Sequence, residues 1–86
     1  MNLAKIQKWT LIENKLYRKF QFKNFREAIN FLNQVAEVAE DLDHHPDFLV
    51  HYNIVEMTLW THTAEKVTEK DFELAEKINM LIQFLV

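Results

Sequence analysis

The chain has no cysteine among its 86 residues, which excludes disulfide staples, thiolate metal sites and a cysteine nucleophile. Glycine is also absent, and Pro46 is the only proline. The usual punctuation of turns is therefore missing, and turns have to be inferred from Asn, Asp and changes in periodicity. No basic cluster exceeds two adjacent residues and the net charge is −3. Phosphate-backbone binding depends on concentrated Lys and Arg, so nucleic acid is a poor partner. Apolar runs fall far short of the ~20 residues needed to span a bilayer, and Met1-Asn2-Leu3-Ala4-Lys5 lacks the apolar segment of a signal peptide. These absences leave a soluble, cytoplasmic protein with no membrane partner as the expectation.

What is present suits a folded globule: 49% of residues are hydrophobic and 13% aromatic. Residues 1–86 read as one domain, without linker, repeat or low-complexity segment. A domain of this length buries only roughly 60–65% of its unfolded surface. Self-association is then the expected reinforcement.

Trp9-Thr10-Leu11-Ile12 reads as a first short strand. In the second, Leu16, Phe20 and Phe22 share one parity and Lys15, Lys19 and Gln21 the other, with Glu13-Asn14-Lys15 as the turn between them. Asn24 and Glu27 form a capping box. Phe25, Ala28, Ile29, Leu32, Val35, Ala36, Ala39 and Leu42 follow as the apolar face of a helix. The residue before proline is biased out of helix, so this helix should end near Asp43 and present His44 and His45 at its exit. From Phe48 the period returns to two. Phe48, Val50 and Tyr52 give way to Val55, Met57 and Leu59, a parity switch that predicts a tight hairpin at Asn53-Ile54. The second strand of that hairpin, about Val55 to Thr61, delivers His62 at its end. Thr68-Glu69-Lys70-Asp71 is a second capping box, opening a helix with Phe72, Ala75, Ile78, Ile82 and Leu85 as its core face. The fold class is α+β: a four-stranded antiparallel sheet with two helices on one face, in the order β-β-α-β-β-α.

Three of the four histidines, His44, His45 and His62, fall at a helix exit and a strand end. Imidazole serves as acid or base near neutrality, which suits paired proton transfers. Asp43 and Glu40 are placed to fix tautomers or raise imidazole basicity. His51 reads as a solvated side chain, Asp71 as a capping residue, Trp60 as packing or interface, and Trp9 as core or as a stacking surface for a heteroaromatic ligand. Three histidines could also bind zinc, but two adjacent ligands match no recognised metal spacing. No Ser-His-Asp order, glycine-rich phosphate loop or HExxH helix is present.

Taken whole, the pattern Glu40, His44-His45-Pro46, Tyr52, His62 and Asp71 resembles the signature of the pterin-4a-carbinolamine dehydratases. Trp9, Phe20-Gln21-Phe22-Lys23-Asn24-Phe25 and Leu42-Asp43-His44-His45-Pro46 are similar to that family as well, so the resemblance covers nearly the entire chain. It implies dehydration of 4a-hydroxytetrahydropterin to quinonoid dihydropterin, in the recycling of tetrahydrobiopterin after an aromatic amino-acid hydroxylase. It implies catalysis by His44, His45 and His62, with Trp9, Glu40, Asp43 and Asp71 lining or supporting the pocket. No metal and no organic cofactor is implied, the pterin being the substrate, and the assembly implied is a homodimer or homotetramer. Animal members also act as a dimerisation cofactor of a transcription factor, so a non-catalytic interaction module is the alternative. Longer members carry a third helix before the first strand. With eight residues ahead of Trp9, that helix is expected to be missing here.

Overall fold

The structure, a computed structural model, describes residues 6–85, and of Phe84 and Leu85 only the backbone. The expectation that the third helix of longer members is missing, and the place of Leu85 in the core, therefore lie outside what is described. Six elements follow in the expected order: strand β1 Thr10–Ile12, strand β2 Lys15–Gln21, helix α1 Phe25–Leu42, strand β3 Asp47–His51, strand β4 Ile54–Leu59 and helix α2 Glu69–Leu85. The sheet order is β1-β2-β4-β3 and every pairing is antiparallel. The core lies between one sheet face, with Leu16, Phe20, Val55, Met57 and Leu59, and the two helices. Phe31 sits at its centre, its ring 4.8 Å from Phe20 and 5.1 Å from Phe22.

Both hairpins turn without glycine. In the first, Ile12 pairs with Lys15, and Glu13 and Asn14 both take positive φ, at 49° and 62°. Two consecutive left-handed residues match the right-handed twist of the flanking strands. In the second, His51 pairs with Ile54, so the turn is Tyr52-Asn53, one residue earlier than expected. The reason is tertiary. The Asn53 side-chain amide donates to the Phe22 carbonyl at 2.8 Å, and the Asn53 backbone carbonyl accepts from the Phe22 N–H at 2.8 Å. Tyr52 then takes the left-handed position, at φ 54°.

The cap of α1 forms as expected, with the Glu27 N–H donating to Asn24 Oδ1 at 2.9 Å. Its buried face differs in detail: Phe31 is fully buried, whereas Phe25 is 51% exposed and Ala36 is also exposed. In α2, Leu74 joins Phe72, Ala75 and Ile78 in the core. At the other end of the molecule, Asn79 Oδ1 accepts from Trp9 Nε1 at 2.7 Å and from Arg18 Nη1 at 2.5 Å, and Asn79 Nδ2 donates to the Gln7 carbonyl at 3.0 Å. This cluster ties the N-terminal segment and β2 to α2. Burial pushes the Arg18 guanidinium below its ordinary value, yet a group that titrates so high stays charged.

Candidate active site

Two chain exits meet at one end of the sheet. The first is the end of α1. Asp43 adopts the left-handed conformation, φ 51° and ψ 43°. The Asp43 N–H donates to the Glu40 carbonyl at 3.2 Å, and the His44 N–H to the Ala39 carbonyl at 3.0 Å. These two bonds are a Schellman ending, with Asp in the place usually taken by glycine. The helix is thus stopped by Asp43, and Pro46, three residues on, precedes the entry into β3.

The reversal sends the two histidines to different surroundings. His44 turns inward, with 12% of its side chain exposed and Nε2 2.6 Å from Asp71 Oδ1. Asp71 is fully buried. Its other oxygen accepts from Thr61 Oγ1 at 2.8 Å and from the Thr68 N–H at 2.9 Å. A buried carboxylate is tolerated here because both of its oxygens have hydrogen-bond partners. An ionised carboxylate can only accept, so opposite it His44 Nε2 is the donor, and Nδ1 is the ring nitrogen left to exchange a proton. His45 turns outward: its Nε2 is 2.5 Å from Glu40 Oε2, and both side chains are more than half exposed.

The second exit follows β4. The strand ends at Leu59, two residues short of the expected limit. Thr61 instead forms an isolated bridge with Lys66, its N–H donating to the Lys66 carbonyl at 2.9 Å. His62 begins the turn inside that bridge. Its ring lies 4.1 Å from that of Trp60, and its Nε2 is 3.5 Å from Asp47 Oδ2. Between the exits lies a cavity of about 270 Å³, lined by Asp43, His44 and His45 on one side, Trp60, Thr61, His62 and Thr63 on the other, and Lys70 of α2.

The structure therefore brings together His44, His45, His62 and Asp43 around one cavity, with Glu40 behind His45 and Asp71 behind His44. Trp9 is set apart, 7% exposed, its indole edge-on to Phe20 in the core. His51 pairs with Glu56 at 2.8 Å, near the turn of the second hairpin. Sequence reasoning did not place Trp60, Thr61, Thr63 or Lys70 at the cavity, although Trp60 has the same parity as His62 two residues later, a signal for a shared face. Among the described residues, no three His, Asp or Glu side chains are grouped to hold a metal ion.

The profile of the family described as pterin 4 alpha carbinolamine dehydratase matches residues 1–81. The chain belongs to the pterin-4a-carbinolamine dehydratase family. A relative from Sulfolobus acidocaldarius, provisionally named a pterin-4-alpha-carbinolamine dehydratase, is 48% identical over 79 residues, covering 92% of this chain and 87% of that protein. A relative from Picosynechococcus, with the same provisional name, is 47% identical over 79 residues, covering 92% and 86%. Among solved structures, a transcriptional coactivator/pterin dehydratase from Brucella melitensis superposes with a TM-score of 0.87 at 40% identity, covering 92% of this chain and 86% of that one. A pterin dehydratase-like protein identified as a RuBisCO assembly factor in the alpha-carboxysome gives a TM-score of 0.69 at 22% identity, covering 85% and 84%. That last likeness is one of fold alone.

Proposed function

We propose that this pterin-4a-carbinolamine dehydratase family member removes water from 4a-hydroxytetrahydropterin to give quinonoid dihydropterin, by histidine general acid–base catalysis. The observation that carries the reading is the convergence of three imidazoles, from two separate chain exits, on one cavity. The elimination breaks the C4a–O bond and a ring N–H bond, and the two protons and the oxygen leave as water. A protonated imidazole makes the hydroxyl a good leaving group, while a neutral one accepts the ring proton. His45 and His62, on opposite jaws, are assigned as that pair. His44, its Nε2 proton committed to Asp71, binds and polarises the substrate. No electrons pass to an acceptor, so the reaction needs no redox cofactor, and in this proposal the imidazole pair supplies both proton transfers. In this proposal the protein acts in the cytoplasm as a homodimer or homotetramer, after an aromatic amino-acid hydroxylase.

A second reading, a non-catalytic interaction module, draws on the Brucella melitensis protein, whose name joins coactivator and dehydratase. One experiment separates the two. Loss of water from synthetic 4a-hydroxytetrahydropterin is followed without added metal for the wild type, His45→Ala and His62→Ala. The expected outcome is a rate loss of about 10²–10⁴-fold in each variant, the usual worth of a positioned acid or base. The wild-type rate should follow a bell-shaped pH profile, reporting apparent values of the imidazole pair. Wild-type-like turnover in both variants sinks the assignment.

A further inference from the structure

Asp47 opens β3 and Trp60 lies one residue beyond β4; the register that pairs Asp47 with Thr58 brings them together. Trp60 Nε1 donates to Asp47 Oδ2 at 2.9 Å. The same oxygen lies 3.5 Å from His62 Nε2. The indole and imidazole centroids are 4.1 Å apart, with the rings tilted by 46°. Lys15 Nζ, from β2, sits 4.3 Å from the Trp60 ring centroid and adds a cation–π contact that holds the indole in place.

His62 needs such support. Its side chain is 58% exposed, and it stands at the start of a turn, not on a strand. A freely rotating imidazole would spend only part of its time aimed into the cavity, and positioning is worth a large share of an acid–base rate. His44 is locked by the buried Asp71, but among the described residues His62 has no buried partner. An aromatic wall and a carboxylate pinned by an indole N–H supply the equivalent on the exposed jaw.

We propose that Trp60 and Asp47 are positioning residues for His62, forming a clamp in which Trp60 walls one side of the imidazole and orients the Asp47 carboxylate toward Nε2. The proposal rests on the reading of His62 as one of the acid–base pair. Other charged or titratable groups facing the same space are Asp43, His44 and His45 from the α1 exit and Lys70 from α2. Neither these three side chains of the α1 exit nor Lys70 forms a hydrogen bond or ion pair with the His62 ring.

The test uses the full chain with Asp47→Asn, Trp60→Ala and the double variant, and reads two quantities. The first is the NMR shift of the His62 ring protons without substrate, which a nearby indole displaces through its ring current. The second is kcat and KM on 4a-hydroxytetrahydropterin. Asp47→Asn leaves the indole in the chain and keeps an amide oxygen for its N–H, yet it should reduce the His62 ring-current shift, because the imidazole loses the carboxylate that holds it against the indole. Each single variant should lower kcat on the order of tenfold, with KM changed less than about twofold, as expected when geometry and not binding is lost. The double variant should be no slower than the slower single, since residues acting as one unit are not additive. His51, held by Glu56, should keep its shifts throughout. Wild-type His62 shifts and wild-type kcat in Asp47→Asn overturn the clamp and leave the dehydratase reading intact. A collapsed His62 shift in Asp47→Asn, with no dehydration by the wild type, supports the clamp and removes the dehydratase reading.

Discussion

Every histidine of this chain faces a carboxylate: His44 faces Asp71 and His45 faces Glu40, while His51 faces Glu56 and His62 faces Asp47. A carboxylate partner is therefore no mark of function in itself; burial and location distinguish the four. His51 shows the contrast, since its partner Glu56 is shared with Tyr17, whose hydroxyl donates to Glu56 Oε1 at 2.6 Å on the sheet face away from the helices. This bond favours the neutral phenol and the ionised carboxylate. It holds the Tyr17 phenol above its ordinary value of 10.0 and, with a smaller contribution from His51, the Glu56 carboxyl below its ordinary value of 4.5. The stabilisation it gives is fully present between those two ordinary values. It is lost at high pH as the raised phenol ionises, and at low pH as the lowered carboxyl protonates. Tyr17→Phe should thus melt below the wild type by a small, constant margin near neutrality, as expected of a solvent-facing pair. The margin should close in acid and in strong base. A margin that does not depend on pH would assign the loss to packing.

At the scale of elements, Asp71 is the joint on which the site depends. One carboxylate gathers the start of α2 through Thr68, the exit of β4 through Thr61 and the exit of α1 through His44. The sequence reading of Asp71 as a capping residue was right about one oxygen and silent about the other. Asp71→Asn is the discriminating change: the amide keeps one acceptor for Thr68 and Thr61 but turns a donor toward His44 Nε2–H. Leaving such a group unpaired in a buried site costs about 1–3 kcal/mol. Chemical denaturation should show a loss of that size, and dehydration should slow as His44 changes tautomer. Unchanged stability and rate would show that Asp71 contributes only a cap. The same joint explains what could and could not be read from sequence. One half of each capping box, the stop of α1 and the order of the elements follow from local rules, and the structure shows them. The second turn moved because Asn53 bonds to Phe22, 31 residues away. Trp9 was a candidate for the pocket by resemblance, but the core claims its ring and Asn79 its N–H. Asp47 and Trp60 meet only through the β3–β4 register, which no local pattern announces.

At the scale of the molecule, the two helices cover one sheet face and leave the other open. Strand β3 is an edge, and Phe48 and Leu49 on it are 47% and 62% exposed. The opposite edge, β1, exposes Leu11 and Ile12 at 51% and 48%. An edge strand with unpaired backbone groups and apolar side chains is a template for another strand unless something blunts it. A chain of this length without cysteine also has few other means of reinforcement. Leu49 is the position that tests assembly with least collateral damage. Its partner across the register is Glu56, on the open face, so it contributes nothing to the helix-covered core. Leu49→Lys should keep the wild-type circular dichroism but shift sedimentation toward the monomer, because a charge on an edge strand disfavours edge-to-edge pairing. If copies do close over this face, they also cover the side of Trp60 that Lys15 contacts, and the variant should lose part of its kcat along with its partner. A wild type that sediments as a monomer at micromolar concentration would remove edge pairing as the source of stability and leave the clamp on His62 to be held by one chain alone.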